Sequence, residues 1–152
     1  MKKGLIFGLC AILLTNCQVV SRQVKETSLM TATPKQYSVE EVEKIARIEI
    51  PAAASEIQVY AVTGWMDDAA LIKFALPPTE LKPFLEKYGF HNLERGYWSI
   101  QDFGISWWPT EGAIANYIGE TLNFPELGYT QSILIDITNP NLYVVYFQYF
   151  ET

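Results

Sequence analysis

Two segments of the chain carry apolar residues at the spacing of an α-helix. Over 79–88 they recur at positions i, i+3, i+4 and i+7, which predicts an amphipathic helix that Gly89 ends. Ser38 and Glu41 have the spacing of a capping box, in which each side chain accepts a hydrogen bond from a free backbone N–H group. The helix that they begin is expected to stop before Pro51, because proline disfavours a helical backbone at the residue before it.

Four further segments have the apolar patterns of strands. Residues 57–61 and 71–76 flank the turn 64–68, which predicts an antiparallel hairpin. Residues 132–138 and 142–150 predict a second pair of strands, apolar on nearly both faces. Such strands are typical of the centre of a sheet, covered by a helix on one side and by a helix, a loop or a partner on the other.

The region 90–130 is rich in glycine and aromatic residues and has a weaker pattern. It predicts a strand near 105–108 and a short helix over 113–118. Together the elements indicate an α+β fold, a mainly antiparallel sheet of four or five strands packed by one or two helices. We expect a single globular domain over 37–152.

Residues 1–16 have the layout of a bacterial export signal. Lys2 and Lys3 precede an apolar run over 4–14, which is too short to span a bilayer by itself, since about 20 residues are needed. The sequence Leu14-Thr15-Asn16-Cys17 that follows resembles a lipobox, with Asn16 in place of the usual small residue before the cysteine. The resemblance implies that the leader is removed and that Cys17 becomes a lipidated first residue.

Residues 17–36 predict a flexible tether that starts at the lipidated Cys17, because they contain Ser, Thr, Gln, Lys and Pro with little hydrophobic period. A coil of about 20 residues has a root-mean-square reach of ~25 Å, so the domain would stand just off a membrane. Two other interpretations stay open: a secretory leader without lipid, and an uncleaved anchor over 4–20. Cleavage with acylation would leave no free thiol, because Cys10 lies in the leader.

The charge and the rare residue types exclude several partners and cofactors. The chain has 17 acidic and 11 basic residues, and 57–152 alone has a formal charge of −7. This excess disfavours nucleic acid and anionic lipid as partners. Two cysteines and one histidine are too few for a Cys/His zinc site, so we expect no metal and no cofactor.

Candidate catalytic groups are few, and an enzymatic role is not the leading expectation. His91, the one histidine, follows the helix 79–88 and is expected to bind backbone carbonyls there, since no Gly-x-Ser-x-Gly turn accompanies it. A glycan hydrolase would need two carboxylates separated by about 5–9.5 Å. The acidic residues available for such a pair are Asp67, Asp68, Glu111, Glu120 and Asp136. Their spacing does not require any two of them to meet.

Aromatic residues concentrate in 57–152, which holds 19 of the 21. An exposed ring could stack on a sugar or anchor a protein partner, whereas buried rings would fill a small core. The candidate partner-binding residues are Trp65, Tyr97, Trp98, Trp107, Trp108 and Tyr117. Trp107 and Trp108 are adjacent, so on a strand they would point to opposite faces.

The lipobox and the tether are followed by Leu-Pro-Pro-Thr-Glu-Leu at 76–81, Trp-Trp-Pro at 107–109 and Tyr-Val-Val-Tyr-Phe at 143–147. In these features the chain resembles small uncharacterised bacterial cell-envelope lipoproteins. The resemblance implies a location in the cell envelope after export, with a lipid anchor on Cys17 in a membrane. It implies no activity.

The leading expectation is a membrane-tethered, non-catalytic domain that binds or scaffolds an envelope protein or a glycan. One alternative is an envelope glycan hydrolase that uses paired carboxylates. Another is an inhibitor-like or immunity-like acidic protein that blocks a basic partner by electrostatic steering. The identity of the partner, the membrane that carries the anchor and the oligomeric state stay open.

Overall fold

The computed structural model describes residues 36–64 and 67–151. The predicted leader, Cys17, the tether up to residue 35 and Trp65 lie outside the described residues. The helices are α1 (Val39–Ala46) and α2 (Pro78–Tyr88). The strands are β1 (Ser55–Val62), β2 (Ala69–Leu76), β3 (Glu94–Arg95), β4 (Tyr117–Phe124), β5 (Tyr129–Asp136) and β6 (Tyr143–Glu151).

The six strands form one antiparallel sheet in the order β1-β2-β6-β5-β4-β3. The hairpin β1–β2 and the hairpin β4–β5 are joined through β6, which pairs with β2 on one side and with β5 on the other. The α+β fold is therefore confirmed, with two helices. Within the described residues the sheet has six strands rather than four or five, because β3 and β4 were not predicted.

Both predicted helices are confirmed, together with their ends. The Ser38 hydroxyl accepts a hydrogen bond from the Glu41 N–H, and the Glu41 carboxylate accepts one from the Ser38 N–H at 2.8 Å. Arg47, with φ 60°, ends α1 before Pro51, and Gly89, with φ 82°, ends α2. In the described part of the chain, no helix is long and apolar enough to cross a bilayer.

Helices α1 and α2 pack on one side of the sheet, which we call the helix face. The Phe74 and Phe84 rings meet edge to face here at 5.4 Å, joining β2 to α2. The Gln131 side chain on β5 donates a hydrogen bond to the Ala46 carbonyl at 3.1 Å and so satisfies the end of α1. Burial of the apolar side chains between the helices and the sheet is the main contribution to the stability of this face.

The opposite side, which we call the loop face, is covered by residues 97–116, the covering loop. The buried residues that meet there are Leu71, Leu134 and Tyr146 of the sheet with Ile100, Trp108 and Ile114 of the loop. The central strands β5 and β6 are thus covered on both sides, as their sequence predicted. The second cover is a loop.

The strand expected near 105–108 and the short helix expected over 113–118 are both wrong. Residues 106–108 form a turn, and the last two residues of the expected helix belong to β4. The covering loop does not need a strand partner, because its backbone groups form hydrogen bonds within the loop's own turns and with side chains of the sheet. The Gln101 N–H, for example, donates to the Gln148 side chain.

Candidate functional site

The covering loop is held on the sheet by two polar contacts. Gln148 on β6 is only 2% exposed, and its side-chain oxygen accepts a hydrogen bond from the Gln101 N–H at 2.8 Å. The Gln101 carbonyl accepts a second one from the indole N–H of Trp108 at 2.7 Å. Within residues 36–64 and 67–151, no buried side-chain nitrogen or oxygen lacks a hydrogen-bond partner. The loop face is therefore a second core with a satisfied polar network.

Trp108 lies at the centre of this second core. Its side chain is 4% exposed, and its ring meets the Tyr146 ring edge to face at 5.7 Å. Burial, and to a smaller extent the Asp136 carboxylate, raises the pKa of the Tyr146 phenol. A ring enclosed in this way can reach a partner only if the covering loop opens, so the structure gives Trp108 a packing role.

The other described aromatic candidates range from half-buried to exposed. Trp98 and Tyr117 are half-buried and meet edge to face at 5.3 Å. Trp107 is half-buried against Trp108, and both line a groove of about 470 Å³ at the covering loop. Tyr97 is 43% exposed. Of these five rings, Tyr97 is the one most open to a ligand.

The five carboxylates considered for hydrolysis lie in four separate places, since only Asp67 and Asp68 are neighbours. Glu120 on β4 points to the helix face, whereas Asp136 on β5 points to the loop face. Asp67 and Asp68 lie at the β1–β2 turn, and Glu111 is exposed in the covering loop. Of four grooves on the described surface, three contain none of these five carboxylates. The fourth groove contains Glu120 and none of the other four. This placement counts against a carboxylate pair.

The remaining titratable groups do not form a reactive cluster in the described residues. His91 is exposed in the segment that follows α2. Glu49 and Lys87 form an exposed ion pair at 2.6 Å, and this hydrogen bond lowers the pKa of Glu49 and raises the pKa of Lys87. In the same part of the chain, no three His, Cys, Asp or Glu side chains are placed to hold a metal ion.

A surface that sequence reasoning missed lies on β1, the outer strand at one edge of the sheet. Ile57, Tyr60 and Val62 are 40%, 37% and 46% exposed, and they are three of the five exposed large hydrophobic residues of the described chain. Tyr60 and Val62 share the loop face with their cross-strand neighbours Leu71 and Ala69, but the covering loop does not bury them. The available signal was that apolar residues occupy both sets of alternate positions in this strand.

Comparison of the chain with protein-family models, with curated proteins and with solved structures found no match.

Proposed function

We propose that the chain is a membrane-tethered envelope lipoprotein whose folded domain binds or scaffolds a protein partner and does not catalyse a reaction. The surface proposed for this contact is the outer edge of β1. The observation that carries the proposal is the group of exposed apolar side chains on a strand whose outer edge has no strand partner among the described residues.

An edge strand can accept a strand from another protein, because its outward N–H and C=O groups are unpaired. Natural edges commonly carry charged residues or proline that discourage such pairing. Residues 58–62 carry neither. A β-bulge at Glu56, with φ 52°, interrupts the regular pairing between Ser55 and Gln58, which leaves 58–62 as the regular part of the edge.

The place at which the chain enters the domain supports the assignment of β1 as the partner-binding surface. The Tyr37 hydroxyl forms a hydrogen bond with the Thr63 hydroxyl, directly after the end of β1. The predicted tether therefore joins the domain beside this edge. With an anchor on Cys17, the root-mean-square distance spanned by the tether would be ~25 Å by the scaling of flexible chains, so this edge would lie near a membrane.

Photocrosslinking in the native host tests the proposed contact. We expect benzoylphenylalanine in place of Tyr60 to yield one discrete adduct with another protein, because this ring is exposed on the edge that the partner covers. Immunoblotting and mass spectrometry of the adduct give its size and identity. The matched control carries the same photoreactive residue in place of Glu86, which is exposed on α2. Equal adducts at both positions, or none at Tyr60, would contradict the assignment of β1.

The anchor is tested by the mass of the N-terminal peptide of the mature protein from the native host. We expect a diacylated or triacylated Cys17, and we expect the Cys17→Ala variant to lose this mass and to leave the membrane fraction. The replacement removes the thiol that carries the thioether to the lipid. Recovery of an unprocessed Met1, or of an unmodified new N-terminus elsewhere, would remove the lipoprotein part of the proposal.

A further inference from the structure

A groove of about 470 Å³ on the loop face is lined by two turns of the covering loop and by Tyr146 of β6. In the first turn the Trp108 N–H donates to the Ile105 carbonyl at 2.9 Å. In the second turn the Ala113 N–H donates to the Thr110 carbonyl at 3.0 Å. Because these hydrogen bonds fix both turns, the shape of the groove does not depend on a ligand.

The Tyr146 hydroxyl is an unpartnered polar group in the wall of this groove. The residue is only 9% exposed, and its hydroxyl forms no hydrogen bond within residues 36–64 and 67–151. The oxygen is not sealed from solvent, since in those ranges no sealed side-chain oxygen lacks a partner. Of the four grooves described above, this one contains Tyr146 and the other three do not. The groove is therefore the open space against a buried phenol, a group that usually has a hydrogen-bond partner.

Trp107 gives the groove a flat apolar surface. Its side chain is half-buried and lines the groove, and its ring packs at 81° to the Trp108 ring with 5.7 Å between the ring centres. The Trp108 indole is itself held by its hydrogen bond to the Gln101 carbonyl. The Trp107 ring is thus supported by a fixed neighbour while part of it stays open. A ring held in this way is suited to stacking on an apolar face of a ligand.

Asp102 gives the groove a charged acceptor. Its Oδ1 accepts a hydrogen bond from the Gly104 N–H at 2.8 Å, and its Oδ2 has no hydrogen-bond partner among the described residues. The residue is exposed, as are Ser106 and Thr110, whose hydroxyls belong to the same groove. No basic side chain lines it. The groove therefore combines one negative charge and several hydroxyls with an aromatic surface.

These groups select a neutral ligand that both donates and accepts hydrogen bonds. Burial raises the pKa of the Tyr146 phenol, so the hydroxyl keeps its proton at neutral pH and needs an acceptor. An ammonium or guanidinium group has no acceptor, and an anion would meet the Asp102 carboxylate with no basic side chain to offset it. A proline-rich peptide offers carbonyl acceptors but few donors for that carboxylate. A sugar supplies donors, acceptors and a ring face of C–H groups.

We infer that this groove binds a hexopyranose unit of a glycan, with the sugar ring stacked on Trp107 and its hydroxyls bonded to Tyr146 and Asp102. The groove takes no residue from β1, so the inference does not rest on the protein contact proposed there or on the lipid anchor. A discrete adduct at Tyr60 without sugar binding would count against the groove alone. Sugar binding without that adduct would count against β1 alone.

The binding test is an NMR titration of the full chain labelled with ¹⁵N. Cellotriose and its N-acetylated analogue triacetylchitotriose have flat rings, and we expect saturable shifts of the Trp107 indole N–H resonance from both. Sorbitol, an open-chain polyol without a ring face, is expected to bind at least about tenfold more weakly. Equal binding of sorbitol, or no saturable shift from either oligosaccharide, would overturn the inference. Saturable shifts from hexaproline alone would also overturn it and would indicate a proline-rich peptide.

The contribution of the aromatic surface is tested with Trp107→Ala. We expect this variant to bind the tighter oligosaccharide at least about tenfold more weakly, measured at the Thr110 amide, because the stacking surface is lost. Tyr97→Ala is the matched control, since Tyr97 belongs to the covering loop and is 43% exposed but does not line the groove. We expect unchanged binding in the control. Equal weakening by the two substitutions would overturn the site.

Tyr146→Phe tests the unpartnered hydroxyl, because it keeps the ring that meets Trp108. We expect about fivefold weaker binding from the lost hydrogen bond, with an unchanged unfolding midpoint because the hydroxyl has no partner to lose. A purely structural hydroxyl would give the reverse, a lower midpoint with unchanged binding. Asp102→Asn keeps the oxygen that accepts from Gly104 and is expected to weaken binding by about tenfold, and its exposed position keeps the test decisive if Tyr146→Phe does not fold. Unchanged binding in both folded variants would overturn the inference.

Discussion

Gly119→Ala is expected to lower the free energy of unfolding by about 3 kcal/mol, as steric overpacking does in a well-packed core. The covering loop crosses the sheet directly over this residue. A Cβ atom built on Gly119 would overlap the backbone carbonyl oxygen of Tyr97 and would lie 2.7 Å from Ser99 Oγ. The Ser99 hydroxyl is itself bonded to the Ile133 carbonyl, so neither neighbour can move away freely. Urea unfolding followed by circular dichroism measures the loss.

Gly64→Ala is the matched control for this substitution. Among the described residues, its added Cβ would meet only the Asp67 carbonyl oxygen at 3.8 Å, an ordinary contact, and its φ does not lie in the left-handed region. We expect a change within about 0.5 kcal/mol at this exposed position. If Gly64→Ala and Gly119→Ala lowered the free energy of unfolding by similar amounts, the close approach of the loop to β4 would not be the reason for a glycine at position 119.

Trp108→Ala is expected to lower the free energy of unfolding by about 3–5 kcal/mol. The substitution empties the centre of the loop-face core, where the ring packs against Tyr146. It also removes the indole donor that the Gln101 carbonyl accepts from. Both losses fall on the same loop, so we expect the covering loop to open before the rest of the sheet. Hydrogen exchange of the Gln101 amide, beside the global unfolding measurement, reports this opening.

Trp107→Ala provides the comparison, because Trp107 is adjacent in sequence but half-buried. Its removal is expected to cost about 1 kcal/mol, the usual size for a partly exposed position. If the Trp107 and Trp108 variants lose equal stability, the assignment of Trp108 as the central ring of the second core is wrong. The contrast also matters for binding experiments, since only the milder variant stays a clean test of partner contact.

The strands at the centre of the sheet could be predicted because a strand buried on both faces has consecutive apolar residues, which are visible in the sequence. β6 is apolar at all positions except Gln148 and Glu151, and β5 carries the consecutive apolar residues Ile133, Leu134 and Ile135. Few other environments accept such runs. The two helices were predictable for a similar local reason, since their caps and apolar spacing lie within a few residues of each other. In these elements, short-range chemistry and the final fold agree.

Strand β4 was missed because Gly119 and Glu120, its third and fourth residues, break the apolar pattern. The reasons are contacts with residues that are distant in the sequence. Gly119 is small because Tyr97 and Ser99 pass over it, and Glu120 is acidic at a buried position where Asn92 donates to it. Neither contact can be recognised from the residues that surround Gly119 and Glu120 in the sequence.

The position of β6 between β2 and β5 has a consequence for the order in which the chain can fold during synthesis. This strand follows all the others in chain order, yet it is the one that joins the β1–β2 hairpin to the β4–β5 hairpin. Until it has left the ribosome, the two hairpins have no shared sheet and neither core can close. A secreted chain would thus stay unfolded, and able to pass a narrow export channel, until β6 had been synthesised.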